Sequence, residues 1–132
     1  MKNVMLASLV LLSGVSTSVC ADWVKIYSND KMTAYGDPTT LRVRGNISKI
    51  SSMFDFKTEA ALADGNTYNS VVRDTEFNCR ENLQRMMGYS IFSGKMAKGK
   101  VLDIGADAQD WKPVSKLKVA IDMKDYACNS DS

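Results

Sequence analysis

The sequence predicts an α+β fold: an antiparallel sheet of about six strands with a C-terminal helix packed on it and tied by a disulfide. Three observations carry this expectation. Short runs of strand character are separated by turn residues, and the links are too short for the crossovers that parallel strands need. The last apolar segment changes to a helical period. An even pair of cysteines, Cys79 and Cys128, follows an N-terminal export segment.

The export segment is read first, because it decides the compartment. Lys2 supplies a positive start, and residues 4–15 are apolar apart from small residues. That stretch is shorter than the ~20 residues a membrane-spanning helix needs and fits a secretory signal peptide. Two cleavage patterns compete. A lipoprotein would keep Cys20, but the run Thr17-Ser18-Val19 places a bulky residue against the cysteine. Cleavage after Ala21, with Val19 and Ala21 at the third and first positions before the cut, fits the small-residue rule better. The expected organisation is a signal peptide over residues 1–21 and one domain over residues 22–132. The chain carries 17 Lys and Arg against 15 Asp and Glu. Loss of Lys2 brings it closer to neutral, so no global attraction to nucleic acid or anionic membrane is expected. An oxidising compartment favours a Cys79–Cys128 disulfide over two free thiols.

The elements follow in order. Residues 23–28 and 31–35 flank Asn29-Asp30 as a hairpin candidate. Gly36-Asp37-Pro38 is turn chemistry. Residues 39–44 and 47–56 flank Gly45-Asn46 in the same way. In the second run Ile50, Ser52, Phe54 and Phe56 share one parity and Lys49, Ser51 and Asp55 the other, which predicts a strand wet on one side. After Asp64-Gly65-Asn66, residues 66–79 switch apolar parity, and a bulge near Arg73-Asp74 would keep both sets facing inward. Residues 83–92 and 100–104 complete the sheet. The final segment opens at Pro113 and Ser115, a fair N-cap. Leu117, Ile121 and Cys128 fall on one helical stripe, and Lys124 lies awkwardly within it. A helix of about 12 residues is marginal in water. Lys116 and Lys118 near its start and Asp122 and Asp125 toward its end oppose the macrodipole. Docking on the sheet and the disulfide must therefore hold it.

Chemistry is sparse. There is no histidine, which removes the commonest general base and zinc ligand. No phosphate-binding or nucleophile-elbow motif appears, so no cofactor is expected. Asp74 and Glu76 share a parity and could form a carboxylate pair of the kind glycosidases use, although a solvated sheet face is the simpler reading. The segment Gly-Lys-Met-Ala-Lys-Gly-Lys over residues 94–100 puts Lys95, Lys98 and Lys100 on one hairpin tip. It is a candidate contact for anionic groups, set against an ordinary solvated turn. Met86, Met87 and Met96 read as gap fillers, and Asn46-Ile47-Ser48 fits a weak glycosylation sequon.

One arrangement of residues is more specific. Trp23 leads the first strand after an exported start. Tyr68-Asn69-Ser70 opens the strand that ends at Cys79. Gly99-Lys100-Val101-Leu102 precedes a loop, and Asp110-Trp111-Lys112-Pro113-Val114 leads into a helix closing on Cys128. Over about residues 22–128 this order resembles the surface-adhesin E family of small exported bacterial proteins. The resemblance implies an antiparallel sheet with a disulfide-tied helix, and adhesion to host extracellular-matrix glycoproteins. It marks no binding residue that can be carried over.

The expected role is a non-enzymatic binding protein exported by a Gram-negative bacterium to the periplasm or cell surface, with no membrane span, and the lysine hairpin as its best contact. A periplasmic interaction or scaffold domain, homodimeric through an edge strand, is the alternative. A hydrolase using Asp74 and Glu76 is a distant third. Mass spectrometry of the protein recovered from cells should give a chain starting at Asp22, without lipid and without thiols open to alkylation. A lipid adduct on Cys20 would reverse the cleavage assignment.

Overall fold

The computed structural model describes residues 21–129, so the signal peptide expected over residues 1–21 lies, except for Ala21, outside the described residues. The elements are β1 (Val24–Ser28), β2 (Met32–Arg44), β3 (Ile47–Ala61), β4 (Thr67–Asn78), β5 (Leu83–Phe92), β6 (Val101–Gly105), β7 (Lys112–Pro113) and α1 (Lys118–Asn129). The first six form a sheet in chain order, with each neighbouring pair antiparallel. The short β7 returns to pair Leu83 and Gln84 of β5. Short links force each strand back beside its predecessor, which is why the order in space follows the order in sequence.

Two turns behave as their residues predict. Asn29 accepts from the Lys31 and Met32 amides at 2.8 and 2.9 Å, closing the first hairpin over Asp30 and Lys31. Gly45 and Asn46 join Arg44 to its cross-strand partner Ile47. The expected turn at Gly36-Asp37-Pro38 is not a turn. β2 passes through it as one strand whose register shifts between Asp37 and Arg42. Pro38 has no amide to give the ladder, so pairing lapses there. Side chains replace it: the Asp37 carboxylate takes the Thr39 amide at 3.0 Å and hydroxyl at 2.6 Å. The Thr40 hydroxyl donates to the Asp37 carbonyl and accepts from the Ser51 amide.

The bulge expected in β4 lies in its neighbour. β4 pairs with β3 without interruption from Ser70 to Asn78. Pairing to β5 steps from Asp74–Gly88 to Thr75–Met86, which makes Met87 the extra residue. Both parities of β4 contain buried residues: Val71 and Phe77 on the helix side, Ser70 and Glu76 on the other. The sheet is covered in part on both faces, so the expectation of a wet side fails along the middle of β3 and β4. Met53, on the parity opposite Ile50, is as fully buried as Ile50 itself.

The core lies between the sheet and α1 and consists of Ala34, Ile50, Phe77, Val114, Met123 and Ala127. Gly36 allows the close approach: a Cβ there would sit 3.4 Å from the Tyr126 ring and 3.3 Å from Ile50. The helix is turned by roughly a third of a revolution from the predicted stripe, at about 100° per residue. Met123 and Ala127 face inward, while Leu117 and Ile121 are exposed. With this rotation Lys124 leaves the centre of the buried stripe. Cys128, in the last turn, bonds to Cys79 just past the end of β4, with the Cα atoms 5.8 Å apart. At the other end the Val114 amide donates to the Asn82 carbonyl at 3.0 Å, and the Ser115 hydroxyl accepts from the Leu117 amide at 3.2 Å.

This orientation has a direct mutational consequence. Met123→Ala should destabilise the oxidised protein by about 2–5 kcal/mol, because it empties a packed site. Ile121→Ala should stay within about 0.5 kcal/mol of the parent. Denaturant melts of the two variants check this, and the reverse order would place the helix on the predicted stripe instead.

Candidate functional site

The lysine hairpin is a docked loop, not a free tip. Residues 93–100 fold back over the sheet face opposite α1. The Ser70 hydroxyl donates to the Gly94 carbonyl at 2.6 Å and accepts from the Ala97 amide at 2.9 Å. The Asp55 carboxylate accepts from the Met96 amide at 2.8 Å. The Lys95 ammonium donates to the Phe56 carbonyl at 2.6 Å. Within the loop, Ser93 and Lys100 exchange bonds: the Ser93 amide meets the Lys100 carbonyl, and the Lys100 amide meets the Ser93 hydroxyl.

The loop backbone is strained. Met96 and Ala97 hold positive φ angles of 58° and 57°, where non-glycine residues pay a steric cost. Gly99, at φ 83°, has no such penalty. Two consecutive left-handed residues turn their amides the same way, and Asp55 and Ser70 receive them. The bonds that hold this strain also keep Lys95, Lys98 and Lys100 exposed on a fixed framework. Spacing along the chain brings the three together, but the sequence signal did not show that β3 and β4 anchor them.

Asp74 and Glu76 do lie on one face of β4, opposite α1, and both are engaged. Asp74 accepts a short hydrogen bond from the Ser51 hydroxyl. Glu76, 6% exposed, receives two bonds from the Arg85 guanidinium, at 2.9 Å from Nε and 2.7 Å from Nη2. Arg44 approaches it at 3.9 Å, and Arg85 stacks on the Trp111 ring at 4.5 Å. This is a structural cluster that fastens β4, β5 and the segment before β7. Asn46 is exposed at its turn, whereas the Ser48 of the sequon is buried.

Sequence reading missed a groove on the α1 side. Ser52, Arg73 and Thr75 meet there beneath the start of the helix, beside Phe54, Phe77 and Leu117. Arg73 retains exposure, yet packing desolvates it enough to draw its pKa below the ordinary arginine value. Its guanidinium lies 5.0 Å from the Phe54 ring centroid. No local motif announces this site, because its members come from β3, β4, β5, α1 and the segment before α1.

Residues 23–129 match the family model of surface-adhesin protein E. The chain belongs to the surface-adhesin protein E family. Solved structures agree on the fold. Crystal form II of Haemophilus influenzae protein E superposes with a TM-score of 0.65 at 11% identity, covering 86% of this chain and 91% of that one. Protein E from non-typeable Haemophilus influenzae gives 0.59 at 11% identity, covering 86% and 79%. No curated protein sequence matches the chain. The family makes this an adhesin-like protein, and its fold is that of protein E. Among the described residues, no helix is long and apolar enough to cross a membrane.

Ser70→Ala removes the shared anchor of the lysine loop and leaves the Gly94 carbonyl and Ala97 amide unpaired. It should cost about 1–3 kcal/mol. Faster amide exchange should then concentrate in residues 94–100; uniform exchange across the sheet would contradict the anchoring role.

Proposed function

We propose that this protein is exported by a Gram-negative bacterium and attaches to host extracellular-matrix proteins through the docked lysine loop. Membership of the surface-adhesin protein E family carries the reading. The loop supports it physically: three exposed lysines sit on a strained backbone fixed by Asp55 and Ser70, a preorganised surface for acidic patches or sulfated glycans. Rigid placement lowers the entropy lost on binding. The bonds around Asp74 and Glu76 favour a structural over a hydrolytic role for that pair.

A second reading has its own observation. β1 and β6 end the sheet. Val101 and Ile104 on β6 are both at least half exposed. An edge with exposed apolar side chains suits strand addition by a partner or a second copy in the periplasm.

The test is binding of the parent and of Lys95→Ser/Lys98→Ser/Lys100→Ser to immobilised matrix glycoproteins, with fractionation of the producing cells. The triple variant should bind at least ~10-fold more weakly, and parent binding should fall as salt rises. Unchanged binding by the triple variant removes the loop from the interface. Recovery solely as a soluble periplasmic protein favours the edge-strand reading.

A further inference from the structure

We propose that the groove beneath the start of α1 binds a small apolar carboxylate. The site lies on the sheet face opposite the lysine loop and stands independently of any adhesive role. Phe54, Phe77, Val119, Ala120 and Met123 give its apolar walls, around a volume of about 180 Å³. Ser52, Arg73 and Thr75 give its polar end. Ser52 and Arg73 are cross-strand partners, so their side chains leave the same face at neighbouring positions.

Two independent features point to a ligand. The Ser52 hydroxyl is buried, in a residue only 1% exposed, and has no hydrogen-bond partner among the described residues. Folded proteins nearly always pair such groups. Arg73 has no carboxylate of its own: the three ion pairs among the described residues belong to Arg44 and Arg85 with Glu76, and to Lys118 with Asp122. Phe54 lies by its guanidinium and offers only a ring face.

The charge pattern sets the sign of the ligand. Arg73 also lines two adjoining grooves of about 230 and 220 Å³, one of which includes Lys112. No Asp or Glu lines any of the three. The carboxylates of Asp55, Asp74 and Glu76 belong to the other face and are engaged there. A single guanidinium with a hydroxyl beside it suits a planar, singly charged carboxylate, which accepts two parallel N–H bonds. The apolar walls exclude a ligand that is charged all over. Leu117, 68% exposed at the rim, is where the aliphatic end of the ligand would lie.

Octanoate is a suitable probe, titrated into the oxidised mature protein and followed by amide chemical shifts, with octan-1-ol and octylamine as chain-matched controls. Octanoate should saturate, with shifts centred on Ser52, Arg73, Leu117 and Met123, and both controls should bind at least ~10-fold more weakly. Arg73→Gln should weaken octanoate by a similar factor. If that variant folds poorly, Arg73→Lys keeps the charge but loses the planar fork, and should still bind less well. Ser52→Ala should weaken octanoate while leaving thermal stability unchanged or higher, because it deletes an unpaired polar group. Equal binding of octanoate and octylamine, shifts centred elsewhere, unchanged affinity in Arg73→Gln, or no saturation would each overturn the proposal.

Discussion

The cross-link from Cys79 to Cys128 is the constraint on which the arrangement of this protein depends. It joins the end of β4 to the last turn of α1 across 49 positions of chain. Closing a loop of that length stabilises by about 4 kcal/mol in the chain-entropy model. The helix needs it. α1 has 12 residues, no acidic side chain in its first turn and no basic one in its last. Such a helix is marginal alone, and its intrahelical ion pair between Lys118 and Asp122 is exposed and of small worth. Packing of Met123 and Ala127 over Ala34, Ile50 and Phe77 supplies the rest. Without α1, the helix-side face of β1 to β4 would lose its cover.

That cover divides the sheet into two chemically different faces. On the α1 side lie the apolar core and, past the helix start, a cationic groove around Arg73. On the other side, polar and charged groups are paired with one another: Asp74 with Ser51, Glu76 with Arg85, Asp55 and Ser70 with the returning loop. The strain at Met96 and Ala97 is maintained by the last of these. A strained loop persists only where its surroundings over-determine it, and here the surroundings are two β-strands that the core itself holds rigid.

The identity with protein E is 11%, yet the folds superpose. In this chain the fold rests on alternating strands, links too short to cross over, and a helix fastened to the sheet. Surface lysines and groove linings are free to vary within that frame, so a common fold does not transmit a ligand. The chemistry of the lysine loop and of the Arg73 groove rests on this chain's own residues.

The sequence alone determined the antiparallel sheet, the terminal helix, the cysteine pairing and most turn positions. These follow from local rules: period-two alternation as in Ile50, Ser52 and Phe54, turn chemistry at Gly45-Asn46, and the expectation that Cys79 and Cys128 pair in an oxidising compartment. Tertiary structure decided which face each side chain serves. Helical period cannot choose between two apolar stripes: it centres the predicted stripe on Leu117 and Ile121 with Ala127 beside it, whereas the buried stripe centres on Met123 and Ala127. Pro38 looked like a chain reversal because its local effect, a missing donor, is the same in a turn and in a bulge. Asp74 and Glu76 looked solvated because Arg85 and Ser51 reach them across strands. The Arg73 groove is invisible in the sequence for the same reason: β3, β4, β5, α1 and the segment before α1 each contribute part of it, and only folding brings those parts to one place.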